Sequence, residues 1–168
     1  ESNEGNNLSQ RTINLVAQAP DDGNDQPTSA TVLAIPHDTE NDYTLDPADL
    51  DVDWYRVALD AGQTYVFAAS SAENFDTEFW LSGPGVADGT EIGPQVARDD
   101  DGGPELQPLL TYFAEAAGDY FLRVARFDNN PLIDLPAQEL KPGTRSNKAA
   151  GNYTLTITVD AGDGNDAP

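Results

Sequence analysis

The side chains best suited to chemistry here are carboxylates and carboxamides at close spacing. Asp22, Asn24 and Asp25 share one turn-rich stretch, and Asp51 and Asp53 sit two residues apart further on. Two positions apart on an extended chain, that last pair points to one side. Asp99, Asp100 and Asp101 run together ahead of Gly102 and Gly103. From a regular strand three consecutive Asp cannot all meet one ion. From a Gly-terminated loop two of them can, together with a backbone carbonyl. A third group, Asp128, Asn129 and Asn130, opens a long polar connection that runs to residue 150. Calcium accepts about six to eight oxygens in irregular geometry, which closely spaced Asx residues in a bent loop supply. Clustered carboxylates without a cation repel one another. Asp and Asn oxygens on calcium can also bond sugar hydroxyls, and a nearby aromatic face would stack on a sugar ring. Phe127 and Trp80 are the candidates for that stacking.

Other chemistries are poorly provided for. The chain has no Cys and one His, His37. Thiol nucleophiles, thiolate sites and His-rich zinc centres are therefore excluded. A nucleophile–His–acid triad would have to use His37, which lies between Pro36 and Asp38 in an expected loop, and no G-x-S-x-G stands in the sequence. A two-carboxylate glycosidase needs only an acid pair across a cleft. A small sandwich has little room for one, so the expectation is a protein that is not an enzyme.

The elements that must hold these residues are strands. In 168 residues there are 30 acids and 8 basic residues, a net charge of −22, with 38% hydrophobic residues and 14 aromatics. That is enough apolar material for one core, and too much for a disordered acidic tail. No apolar run spans a bilayer, and the charge repels nucleic acid and anionic membrane surfaces. The acids are mostly Asp, and Gly and Pro number 14 and 12. This suits a loop-rich extracellular β-protein, or adaptation to high salt. The chain starts at Glu1 and contains no Met, so we expect it to be part of a longer one.

Residues 153–159 alternate Tyr153, Leu155, Ile157 and Val159 with three threonines, the period of a half-buried strand. Residues 119–127, 64–70 and 53–59 also read as strands. The stretch 64–70 is apolar on both faces and so is expected in a sheet interior. The turn Asp60–Gln63 predicts a hairpin of 53–59 with 64–70. Weaker strands are predicted over 78–82, 95–98, 109–115 and 11–17, and residues 29–35 suit either a helical turn or a strand. Either Trp54 or Tyr55 must face the core. Short strands between turn signals predict two packed antiparallel sheets.

At this point a family resemblance is legible. Asp51 to Ser70, DVDWYRVALDAGQTYVFAAS, resembles the core of the bacterial pre-peptidase C-terminal domain. Ala116 to Phe127 and Gly151 to Val159 resemble its last two strands, taken as a pair. APDDGND with TSATVL resembles its opening, and NFDTEFWLSGPG with VARDDDGG its middle. The resemblance implies an all-β, jelly-roll-like, two-sheet antiparallel sandwich over residues 11–160, with linkers at 1–10 and 161–168. It implies a non-catalytic module of a secreted or surface bacterial protein, beside catalytic or adhesive neighbours, with Ca2+ bound in several members and collagen or carbohydrate in some. It also brings Asp22, Asn24 and Asp25 to Asp51 and Asp53, and sets Asp76 and Glu78 near Asp99–Asp101. The connection 128–150 is longer than the family's, which makes it, with the Asp101 loop, the expected glycan site. GDGND near the end resembles half of one RTX calcium repeat, a hint of a large RTX-type adhesin. The expected partners are carbohydrate or another cell-surface ligand and neighbouring domains of the same chain. No nucleic acid or membrane insertion is expected, and the domain is read as a monomer.

Overall fold

The structure is a computed structural model. It describes residues 23–45, 51–71, 76–126 and 151–160, with the backbone alone at 39–42 and 106. A 3₁₀ turn at Pro27–Ser29 precedes nine strands: β1 (Thr31–Leu33), β2 (His37–Leu45), β3 (Val52–Leu59), β4 (Gln63–Ser70), β5 (Thr77–Gly85), β6 (Gln95–Asp99), β7 (Leu109–Ala114), β8 (Gly118–Arg126) and β9 (Gly151–Asp160). A second 3₁₀ turn, Pro104–Leu106, lies between β6 and β7. The strands form two sheets, ordered β1-β3-β8-β5-β6 and β2-β9-β4-β7. All pairings are antiparallel except β1 with β3. The chain is the two-sheet β-sandwich that the alternation demands. The predicted strand at 11–17 lies outside the described residues.

Period two sets the core. β3 turns Asp53, Tyr55, Val57 and Leu59 inward, β4 turns Tyr65, Phe67 and Ala69, and β9 turns Tyr153, Leu155 and Ile157. Tyr55 is the core aromatic of the Trp54–Tyr55 pair, and Trp54 takes the outer face. β4 lies between β9 and β7, the interior place its two apolar faces predicted. β8 is central in the other sheet and buried on both sides. Tyr120, Leu122 and Val124 enter the core, while Phe121, Arg123 and Ala125 are buried on the outside. The β5–β6 connection helps to cover that outer face. The Arg56 guanidinium donates to the Ala87 carbonyl, and Gly89 leaves no room for a Cβ against the Pro27 backbone.

Three expectations are corrected. β3 and β4 are not a hairpin, because both flanks of β3 are taken by β1 and β8, and both flanks of β4 by β9 and β7. The turn carries the chain from one sheet to the other, with Gly62 at φ +79° and the Asp60 amide donating to the Tyr65 hydroxyl. Two core-facing strands joined by a short turn can close over the core as well as beside each other, and local sequence does not separate these. β8 and β9 likewise lie in different sheets rather than as a pair. His37 begins β2 and pairs with Ile157, so it is a strand residue, half-buried, and not in a loop. Residues 29–35 take both forms in turn, a 3₁₀ turn ending at Ser29 and then β1.

Leu122 is fully buried in the central strand, whereas Val86 is 47% exposed. Leu122→Ala should lower unfolding free energy by about 2–5 kcal/mol. Val86→Ala should change it by less than about 0.5 kcal/mol. Denaturant melts of both variants check this.

Candidate functional site

Of the first carboxylate group, Asp22 lies outside the described residues. The rest gather where the chain enters β3. The Trp54 amide donates to the Asn24 carbonyl at 3.0 Å, which lays the opening loop along the strand that carries Asp53. Asn24 is 3% exposed and Asp53 is fully buried, while Asp25 and Asp51 are half-buried. Asp53 does not stand as a bare charge. Tyr153 on β9 donates its hydroxyl to Asp53 Oδ2, and the Tyr55 hydroxyl lies 3.4 Å from the same oxygen and 2.5 Å from that of Tyr153. Burial and then the Asp53 charge push the Tyr153 phenol well above its ordinary value, so it stays protonated and able to donate. The Tyr43 ring packs edge-on to Tyr55 at 5.0 Å and tilted on Tyr153 at 5.6 Å. His37 Nε2 lies 3.1 Å from the Tyr43 hydroxyl. Burial lowers the His37 pKa, against the pull of Asp38.

The second group divides by role. Asp99 ends β6, and its Oδ2 accepts the amides of Gly102 at 2.9 Å and Leu109 at 2.8 Å. It organises the turn into β7. Gly102 lies so close that a Cβ there would stand 2.7 Å from the carboxylate. Asp100 is half-buried and Asp101 exposed, and Asp76 is half-buried immediately before β5. Among the described residues, no three or more His, Cys, Asp or Glu side chains are grouped to hold a metal ion. Asp128, Asn129, Asn130 and Phe127 lie outside the described residues.

The outer face of the five-stranded sheet holds a cluster that composition does not announce. Register sets Trp80 between Arg98 of β6 and Arg123 of β8, and Arg123 also faces Trp54 of β3. The Arg123 guanidinium lies 4.4 Å from the Trp80 ring centre and that of Arg98 lies 5.4 Å away. Trp80 is 5% exposed. Its faces are taken by cations, which corrects the expectation that it stacks on a sugar. Trp54, half-buried, is the more open indole. Two positions before Trp80, the fully buried Glu78 pairs through Oε1 with Arg98, while its buried Oε2 has no hydrogen-bond partner among the described residues. Burial pushes the Glu78 carboxyl up to about 7, against the opposing pull of Arg98. Burial lowers the Arg123 pKa, and Glu78 offsets part of this. Arg56 lies 3.8 Å from Asp119. The four basic residues in the described segments, Arg56, Arg98, Arg123 and Arg126, all belong to this sheet. The alternation of β5 and β8 could have shown that Trp80 and Arg123 face outward. Only the strand order shows that they meet.

With this geometry, the fold is of the kind seen in pre-peptidase C-terminal domains. Such a domain from a Bacillus anthracis collagenase superposes with TM-score 0.50 at 15% identity, over 77% of this chain and 94% of that one. A periplasmic inhibitor of g-type lysozyme from Aeromonas hydrophila gives TM-score 0.44 at 14% identity, over 77% and 98%. A surface-associated copper-binding protein of Methylomicrobium album BG8 gives 0.46 at 14%, over 78% and 98%. At these identities the likeness is one of architecture. Neither a protein-family model nor a curated protein sequence matches the chain.

Two outcomes follow from these groups. A folded pKa of about 7 against 4.5 for the free carboxyl means the native state holds the Glu78 proton more tightly. Glu78 therefore contributes stability that is full below pH 4.5 and lost as pH rises to about 7, by at most about 1.4 kcal/mol per pH unit. In calcium-free buffer, the stability of wild type relative to Glu78→Gln should fall across that window and be flat on both sides. Tyr153→Phe removes a donor from a buried carboxylate and should cost about 1–3 kcal/mol. Denaturant melts at pH 7 should show this without loss of β-sheet signal in circular dichroism.

Proposed function

We propose that the chain is a non-catalytic binding module of a secreted or surface-anchored bacterial protein, held by calcium and docking carbohydrate on the outer face of its five-stranded sheet. The observation that carries the docking reading is the cluster of Trp54, Trp80, Arg98 and Arg123. Tryptophan and arginine dominate binding hot spots because each offers a large area and directed polar atoms at low conformational cost. Trp54 supplies a partly open ring, and the exposed Arg98 supplies guanidinium donors for sugar hydroxyls. Such a face suits capture without catalysis.

The calcium reading rests on the corner at Asn24 and Asp53. Asn24 is held against β3, and Asp25 and Asp51 are half-buried beside that contact's two strands of chain. The carboxamide of Asn24 and the carboxylates of Asp25 and Asp51 are hard oxygen donors that fit calcium. The Asp53 carboxylate, which accepts from Tyr153, would join them. Asp22 completes the set in this reading. Asp76, Asp100 and Asp101 would form a second site, with Asp99 shaping its loop. Asp101 with Asp128, Asn129 and Asn130 would extend the sugar contacts from the loop side. At net charge −22 each bound ion also relieves self-repulsion.

Calorimetric titration of metal-stripped protein with calcium, followed by a glycan array in calcium, tests both parts. Wild type should bind calcium and melt several degrees higher, more than in sodium chloride of equal ionic strength. Asp51→Asn should weaken that binding, and Trp54→Ala should abolish glycan capture without altering the calcium effect. If no glycan binds while a fibrous protein such as collagen does so through Trp54, the ligand is protein. If neither binds, the module is a spacer between neighbouring domains.

A further inference from the structure

Among the described residues the two sheets have four edge strands, β1, β6, β2 and β7, and three of them carry features that blunt pairing with another chain. β1 is three residues long. β2 holds Asp38, Glu40 and Asp42, with a register shift between Thr39 and Tyr43. β6 carries Arg98 and Asp99. β7 reads Leu-Leu-Thr-Tyr-Phe-Ala, without charge or proline, and its register with β4 is unbroken. Leu109 is 40% and Phe113 is 55% exposed, and Thr111 between them is exposed.

The backbone of β7 is half used. The Ala69 amide donates to the Pro108 carbonyl, which makes 69 and 108 a hydrogen-bonded pair. Antiparallel ladders alternate, so Leu110, Tyr112 and Ala114 bond to β4 while Leu109, Thr111 and Phe113 present N–H and C=O outward. The Leu109 amide is taken by Asp99. β6 comes near β7 at that end but does not pair with it, and among the described residues no strand pairs with the outward side of Thr111 and Phe113. Charge stands at both ends of this edge. Asp99, Asp100, Asp101 and Glu105 precede it, and Glu115 follows.

We propose that β7 is a strand-addition site for an extended segment of another protein, apolar at its centre and basic at its ends. The outward groups of Thr111 and Phe113 bond its backbone, Leu109 and Phe113 cover its alternate side chains, and the flanking acids pair with its cations. A second copy is a poor occupant, since it brings another −22 charges and the same acidic flanks. This site is on the opposite sheet from the carbohydrate face and does not depend on it.

The probe is a fluorescent peptide, KKTVTVTKK, compared with KKTVPVTKK, measured by anisotropy against the full chain at physiological salt. The first should bind saturably and the second at least about tenfold more weakly, since proline cannot continue the ladder. Thr111→Pro removes an outward donor and leaves the bonds to β4, so it should abolish binding while the protein still melts cooperatively. Thr111→Lys, which repels the cationic probe, should also abolish binding and serves should the proline variant not fold. Amide exchange at Thr111 and Phe113 should slow on binding. Equal affinity for both peptides, or unchanged affinity in both variants, would reduce the effect to attraction by acidic surface and overturn the proposal. So would a doubled mass in sedimentation that Thr111→Lys returns to monomer, because a second copy would then hold the edge.

Discussion

The buried carboxylate of Asp53 is the constraint on which the sandwich turns. It sits in the core of a chain already carrying −22 charges, where an uncompensated anion would cost several kcal/mol. Its compensation comes from Tyr153 on the other sheet, with Tyr55 of its own strand completing the cluster. The two sheets are thereby joined at one end by directed bonds as well as by apolar packing. Apolar packing alone tolerates sliding, whereas a hydroxyl on a carboxylate fixes the register of β3 against β9. The opening loop then has one place to lie, along Trp54, where its amide meets the Asn24 carbonyl.

The remaining charge is sorted by sheet. The four-stranded sheet has no Lys or Arg in its described strands, whereas the five-stranded sheet holds all four described arginines. On its outer face Arg98 and Arg123 lie on Trp80, which shields their stems and lowers the cost of holding them beside the buried Glu78. A locally neutral, aromatic face on an acidic protein is a different binding surface from a bare acidic one. Under the proposed reading it would take ligands through rings and donors without demanding that they be cations.

The sequence was most legible where one physical rule acted alone. Alternation grouped Tyr153, Leu155 and Ile157 on one face of a strand and Tyr120, Leu122 and Val124 on one face of another, and both groups enter the core, because period two and a buried face dictate the same answer. It failed where a choice depended on distant partners. The turn at Gly62 looks the same whether β3 and β4 share a sheet or face each other, and only the competition from β8 and β9 decides. Asp53 was legible as an acid at the start of β3, but its burial against Tyr153, 100 residues away, was not. Which of Asp99, Asp100 and Asp101 shapes the loop was not legible, since only the fold brings the amides of Gly102 and Leu109 to Asp99. Trp80 looked available for a ring contact, but two strands from elsewhere in the chain bring arginines over it. His37 looked like a loop residue because it stands beside Pro36, yet pairing with β9 draws it into a strand.

These failures share a cause that bears on how such a fold acquires function. A sandwich core is specified by local pattern and tolerates many surface solutions, so the surface carries what is particular to the chain. Here that surface is divided between two sheets with opposite characters. One outer face is aromatic, with arginines paired to acids and laid on its tryptophan, and is rigidly held by β8, which is buried on both sides. The other ends in β7, whose outward backbone groups are held, among the described residues, only in part, by Asp99. Rigid faces favour recognition through preorganised side chains, because little freedom is lost on contact. An open edge recognises backbone, which is common to all extended chains, and takes its selectivity from charge at its ends. The acids that flank β7 therefore have a use beyond solubility. In the strand-addition proposal they would restrict an otherwise permissive edge to cationic segments and disfavour pairing with a second copy.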